Sequence, residues 1–111
     1  MAMNTSTIEN GKLIINKILI ETPNNVVQSL QVGNIIVARL DGSYSNRNVI
    51  AYDLHGKQIW QVQESPHGGS GPKPFTDMWK IENKLYIANW HGVEYEVNIQ
   101  SGLLTVSNFQ K

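Results

Sequence analysis

Three histidines, His55, His67 and His91, are the first residues to weigh for chemistry in this chain. His55 and His91 each stand immediately before a glycine, in Leu-His-Gly-Lys and Trp-His-Gly-Val. That spacing puts both at turn tips, where histidine tolerates unusual backbone angles and faces solvent. His67 lies in Ser-Pro-His-Gly-Gly-Ser-Gly-Pro-Lys-Pro-Phe, residues 65–75, the most unusual stretch of the sequence. A phosphate-cradling loop needs Gly-x4-Gly-Lys-(Ser/Thr) leading into a helix. Here Lys73 sits between Pro72 and Pro74, which blocks a helix start and removes backbone donors. A hydrolytic triad needs a serine set beside a histidine and an acid, and no Gly-x-Ser-x-Gly elbow supplies one. Glu94 and Glu96 lie two residues apart, about 7 Å on one strand face, and a solvated face accounts for both. With no cysteine there is no thiol nucleophile, thiolate metal site or disulfide. No cofactor and no metal centre are expected.

Side chains suited to recognition are better placed. Tyr86, Ala88 and Trp90 alternate along one run and share a face, with His91 next to it, so they are candidates to line an exposed groove. Trp and Tyr are the residues that most often anchor interfaces. Arg39, in an apolar run, and Asp77, between Phe75 and Trp79, are charges on faces expected to be buried. They are candidates to pair with each other or with backbone, or to form a recognition site together with His67 and the 64–74 loop.

Charge narrows the partners. Nine Lys and Arg balance nine Asp and Glu, and the basic residues form no run. Neither nucleic acid nor an anionic membrane surface is therefore an expected partner. No segment approaches the roughly 20 apolar residues that span a bilayer. The first dozen residues lack a basic stretch followed by an apolar one, so no signal peptide is expected. A soluble, cytoplasmic protein is the expectation.

The elements that must position these residues are strands. Short β-branched and aromatic runs are cut by turn signals at Asn10-Gly11, Gly33-Asn34, His55-Gly56, Glu82-Asn83, His91-Gly92 and Gln100-Ser101-Gly102. Val93, Tyr95, Val97 and Ile99 alternate with Glu94, Glu96 and Asn98, the pattern of a half-buried strand. The same alternation predicts that Phe75, Trp79 and Ile81 share an inward face with Asp77, opposite Thr76, Met78 and Lys80.

The chain also repeats itself. Val-Val-Gln-Ser-Leu-Gln-Val-Gly-Asn aligns with Phe-Thr-Asp-Met-Trp-Lys-Ile-Glu-Asn, and each copy continues through a third strand, a turn glycine (Gly56 or Gly102) and a fourth strand. The expected fold is an all-β antiparallel meander of two four-stranded units, about 26–63 and 75–109, with an N-terminal hairpin at about 5–20, in one domain. The copies differ most in the 41–48 and 64–74 loops and at the Trp90-His91 corner, and any function is expected there.

Asp53, Gly56, Lys57 and Trp60 form a pattern that resembles a blade of the pyrroloquinoline-quinone-like β-propellers. The second copy keeps Gly102 but has Leu103 for the lysine and Val106 where the tryptophan is expected. The resemblance implies blade-like four-stranded units, packed as a small two-sheet domain or a half-propeller, and carries no cofactor with it. Asn89, Trp90, Gly92, Tyr95, Val97 and Asn98 form a phrase similar to the ends of small bacterial proteins of unknown function, found in mobile gene cassettes or beside toxin genes. Together these features lead to the expectation of a non-enzymatic protein-interaction module that binds a protein partner or itself, with a homodimer as one form. An immunity or antitoxin-type protein and a small-ligand binder using the 64–74 loop are the alternatives.

Overall fold

The computed structural model describes residues 6–67, 69 and 71–108, and they form antiparallel strands with no helix. The strands are β1 (Ser6–Glu9), β2 (Lys12–Ile15), β3 (Ile18–Ile20), β4 (Val26–Val32), β5 (Ile35–Leu40), β6 (Val49–Tyr52), β7 (Gln58–Gln61), β8 (Phe75–Ile81), β9 (Lys84–Asn89), β10 (Glu94–Val97) and β11 (Leu104–Asn108). They make three sheets, in the orders β1-β2-β3, β4-β5-β6-β7 and β11-β10-β9-β8. Every pair joins strands consecutive in the chain, so each sheet is a plain meander.

The two four-stranded units are as the repeat predicts. The front segment goes further than a hairpin, because Asn16 and Lys17 both take positive φ (49° and 72°) and fold residues 12–20 into two strands rather than one. A left-handed turn without glycine carries little sequence signal; asparagine is the residue that tolerates it best. The result is three sheets where two sheets and a hairpin were expected. Two positions at the expected boundaries, Thr5 and Phe109, lie outside the described residues.

The sheets stack in series, with their first strands β1, β4 and β8 adjoining. One apolar cluster joins the first sheet to the middle one: Leu13, Ile15 and Ile20 against Ile36, Leu40, Ile50 and Tyr52. A second joins the middle sheet to the last: Val37, Val49, Ala51 and Trp60 against Met78, Leu85, Ile87 and Tyr95. The middle sheet is therefore apolar on both faces, which is why β5 and β6 read as nearly unbroken hydrophobic runs.

Two expectations about side-chain direction are corrected by bulges. In β8 the register shifts between Phe75 and Asp77. One extra residue reverses the alternation that follows it. Phe75 and Met78 point into the core, while Asp77 and Ile81 are exposed and Trp79 is only half-buried. In β7 a shift opposite Ala51 and Tyr52 places Trp60 across from Ala51. The matching residue of the last sheet is Thr105, across from Glu96, and not Val106, which pairs with Tyr95 and faces the core.

A repeated contact locks neighbouring sheets. Gly102, at φ +78°, lies flat against the Trp60 indole, and Trp60 Nε1 donates to Ile99 O at 2.7 Å. Gly56, at φ +87°, receives the end of Ile20 in the same way. Each last strand thus plugs into the turn before the last strand of the next sheet. The glycine is required on two grounds, its left-handed backbone and the absent Cβ.

Candidate functional site at the loop end

The connections separate to two ends of the stack. Short turns at 16–17, 33–34, 82–83 and 98–102 occupy one end. The longer segments 21–25, 41–48, 62–74 and 90–93 occupy the other, so the loops in which the two repeats differ do come together.

Two buried asparagines build that end. Asn48 donates from Nδ2 to Leu40 O (2.8 Å) and Phe75 O (2.9 Å), and its Oδ1 accepts from Phe75 N (2.8 Å). It fastens the start of the last sheet to the middle sheet. Asn89 accepts at Oδ1 from His91 N (2.9 Å) and Val93 N (3.0 Å). Its Nδ2 donates to Ser65 Oγ (2.8 Å) and His67 O (3.1 Å). Trp90 N donates to Pro74 O at 2.9 Å, which ties the same turn to the 64–74 loop. Inside that loop Lys73 is buried; its ammonium donates to Gly69 O and lies 3.7 Å from the Glu64 carboxylate. Asn46 Oδ1 accepts from Lys73 N at 2.9 Å. The proline-flanked lysine is a clasp within the loop.

Ser65, His67 and Tyr95 meet at the base of the loop. Ser65 Oγ donates its one proton to His67 O at 2.9 Å. Its oxygen accepts from Asn89 Nδ2 at 2.8 Å and shares a 2.6 Å hydrogen bond with the Tyr95 hydroxyl. The Tyr95 hydroxyl also lies within hydrogen-bond distance of His67 Nδ1, at 2.9 Å. Ser65 is buried, and the hydroxyl that the His67 ring meets is that of Tyr95. The cluster explains why Asn89 and Tyr95 belong to one sequence phrase: both reach Ser65.

The six candidate residues fall in four places. His67 is in the loop base. Trp90 and His91 form the exposed corner after β9, with Trp90 66% exposed. Tyr86 lies on the outer face of the last sheet, where it stacks on its cross-strand neighbour Trp79 with ring centroids 6.0 Å apart and planes 15° from parallel. Asp77 pairs with Ala88 beside them, and its carboxylate accepts from Met78 N at 2.9 Å. Arg39 is half-buried at the inner side of the middle sheet; its Nε donates to Gln28 Oε1 at 2.9 Å, and Gln28 Nε2 donates to Met78 O at 2.6 Å. Burial lowers the Arg39 pKa, and the field of Asp77 opposes that shift. The two charges thus feel each other, but Arg39 makes its hydrogen bond to Gln28. Asn48, Asn89, Ser65 and Trp79 are not site candidates by sequence, although each lies in a loop, repeat or phrase that stands out there.

Among the described residues, no group of three His, Asp or Glu side chains could hold a metal ion. No helix there is long and apolar enough to cross a membrane. A cleft of about 200 Å³ lies beside the first sheet, lined by Lys12, Leu19, Glu21, Thr22 and Asn25, away from the 64–74 loop. A second, of about 420 Å³, lies at the turn end among Val32, Ile35, Asn83 and Ile99. A search of curated proteins finds nothing that matches the chain. Residues 3–109 match the family described as Domain of unknown function (DUF7957), and the chain belongs to that family.

Proposed function

We propose that this protein is a non-enzymatic interaction module that engages a protein partner through the Trp90 corner and the adjoining aromatic face of Tyr86 and Trp79. One observation carries the reading: a 66%-exposed indole sits on a turn whose backbone is held by Asn89 and Pro74. A turn whose backbone is already fixed spares binding the cost of ordering that loop. Burying the remaining indole surface, on the order of 150 Å², contributes about 3–4 kcal/mol. That is the profile of an interface anchor. The lack of cysteine suits a cytoplasmic setting.

The test is a photo-crosslinking amino acid placed at Trp90 in cells that produce the protein, with the same residue at exposed Gln100, on the turn end, as control. The expected result is a discrete protein adduct at position 90 and none at 100. Equal labelling at both positions, or none at either, would sink the proposal.

A further inference from the structure

Among the described residues, no sheet covers the outer faces of the two end sheets. On the last sheet Trp79, Ile81 and Tyr86 point outward next to Glu94 and Glu96. On the first sheet Ile14 and Leu19, paired across β2 and β3, point outward next to Lys12, whose cross-strand neighbour is Glu9. Ile81 is 57% exposed and Leu19 59%.

The stacking inside the chain has a direction. The Ile20-on-Gly56 and Trp60-on-Gly102 contacts both run from the last strand of one sheet to the final turn of the next. Each internal interface is therefore head-to-tail, and the two open faces are one head and one tail. Head-to-tail contacts close into rings when the rotation per unit allows it. The first strands of neighbouring sheets adjoin, β1 with β4 and β4 with β8. Three sheets are too few for a closed ring of this kind, which takes about 4–8. Two copies supply six and three copies would exceed the range.

We infer that a second copy of this chain covers both open faces, the last sheet of each copy packing on the first sheet of the other. The aromatic strip of Trp79 and Tyr86 meets the aliphatic pair Ile14 and Leu19, and the acidic Glu94 and Glu96 meet Lys12. This names one partner for the interaction face proposed above and rests on that reading only through Tyr86 and Trp79, Trp90 standing on the turn after β9.

Light scattering on the eluting full chain measures the mass, with twice 12.5 kDa expected. Leu19→Asp and Trp79→Lys, on opposite faces, should each give a monomer with an unchanged β circular-dichroism spectrum. Mixing the two variants should restore the dimer, because one interface then gains an Asp–Lys pair and the other is unaltered. Glu96→Lys, a milder change, should weaken the dimer where Trp79→Lys disturbs folding. A monomeric wild type, a dimer that survives Leu19→Asp, or a mixture that stays monomeric each overturns ring closure. A monomeric wild type that still crosslinks at position 90 to a different protein would overturn ring closure alone and leave the interaction module standing.

Discussion

Replacing Gly102 with alanine tests the packing of one sheet on the next. A Cβ built there would lie 2.7 Å from Trp60 Cε3 and 2.9 Å from Cδ2, well inside contact distance. The neighbour that must yield is a buried indole held by a 2.7 Å bond to Ile99 O. Three costs combine: about 1 kcal/mol for a left-handed alanine, about 1–3 for forcing the core apart, and about 1 for the weakened indole hydrogen bond. The sum is roughly 3–5 kcal/mol, or on the order of 12–20 °C in midpoint for a chain of this size. Gly33→Ala is the internal control, since Gly33 has φ +59° but nothing within 4 Å of the added Cβ. It carries the backbone cost alone, about 1 kcal/mol. Gly56→Ala should fall between them, because its obstacle is the flexible end of Ile20. Urea denaturation followed by far-ultraviolet circular dichroism gives all three values. If Gly102→Ala costs no more than Gly33→Ala, the sheet-to-sheet plug does not hold the fold as argued.

Other expectations follow from single groups. Asn89→Ala removes four hydrogen bonds and should cost about 3 kcal/mol, with amide exchange at Val93 and His91 accelerated far more than in β5. The buried Tyr52 hydroxyl has no partner among the described residues, so Tyr52→Phe should be neutral or stabilising by up to about 1 kcal/mol in thermal unfolding. Burial pushes the Tyr52 pKa up to about 12, so the folded state keeps a proton that the unfolded chain gives up near pH 10. Stability should therefore decline as pH rises through that window, and Tyr52→Phe should flatten the decline in pH-dependent urea midpoints. Asp53 has the opposite sign: backbone N–H groups of Lys57 and His55 bond its carboxylate and hold its pKa below the usual value. Its contribution is present above the ordinary aspartate range and is lost as pH falls through the lowered pKa, so Asp53→Asn should show a shallower acid limb than wild type.

The meander, the two four-stranded units and the turn glycines are legible in the sequence because each rests on a local cause, such as alternation in 93–99 or a left-handed turn at Gly56 and Gly102. The 41–48 loop, the 64–74 loop and the Trp90 corner share one end because a strict meander puts alternate connections at the same end. What escaped are features set by partners far along the chain. The bulge in β8 turns Trp79 outward and Met78 inward, and no residue type near Thr76 marks it. The turn at Asn16-Lys17 lies between two aliphatic runs with no glycine to mark it. The role of Ser65 depends on Asn89 and Tyr95, 24 and 30 residues away. A serine in a polar loop looks the same whether it faces water or closes a buried network.

The two-faced middle sheet sets a timetable for the chain as it is made. All strand pairing is between sequence neighbours, so each hairpin can form as soon as it emerges, and loop-closure entropy delays little. The first sheet is ready to cover Ile36, Leu40 and Ile50 when they appear. Val37, Val49, Ala51 and Trp60 have no such shelter until β8 through β10 have been synthesised, about 35 residues after Val62. At synthesis rates of about 5–20 residues per second that is a few seconds of exposed apolar sheet, the interval in which the nascent protein is most open to aggregation and to chaperones.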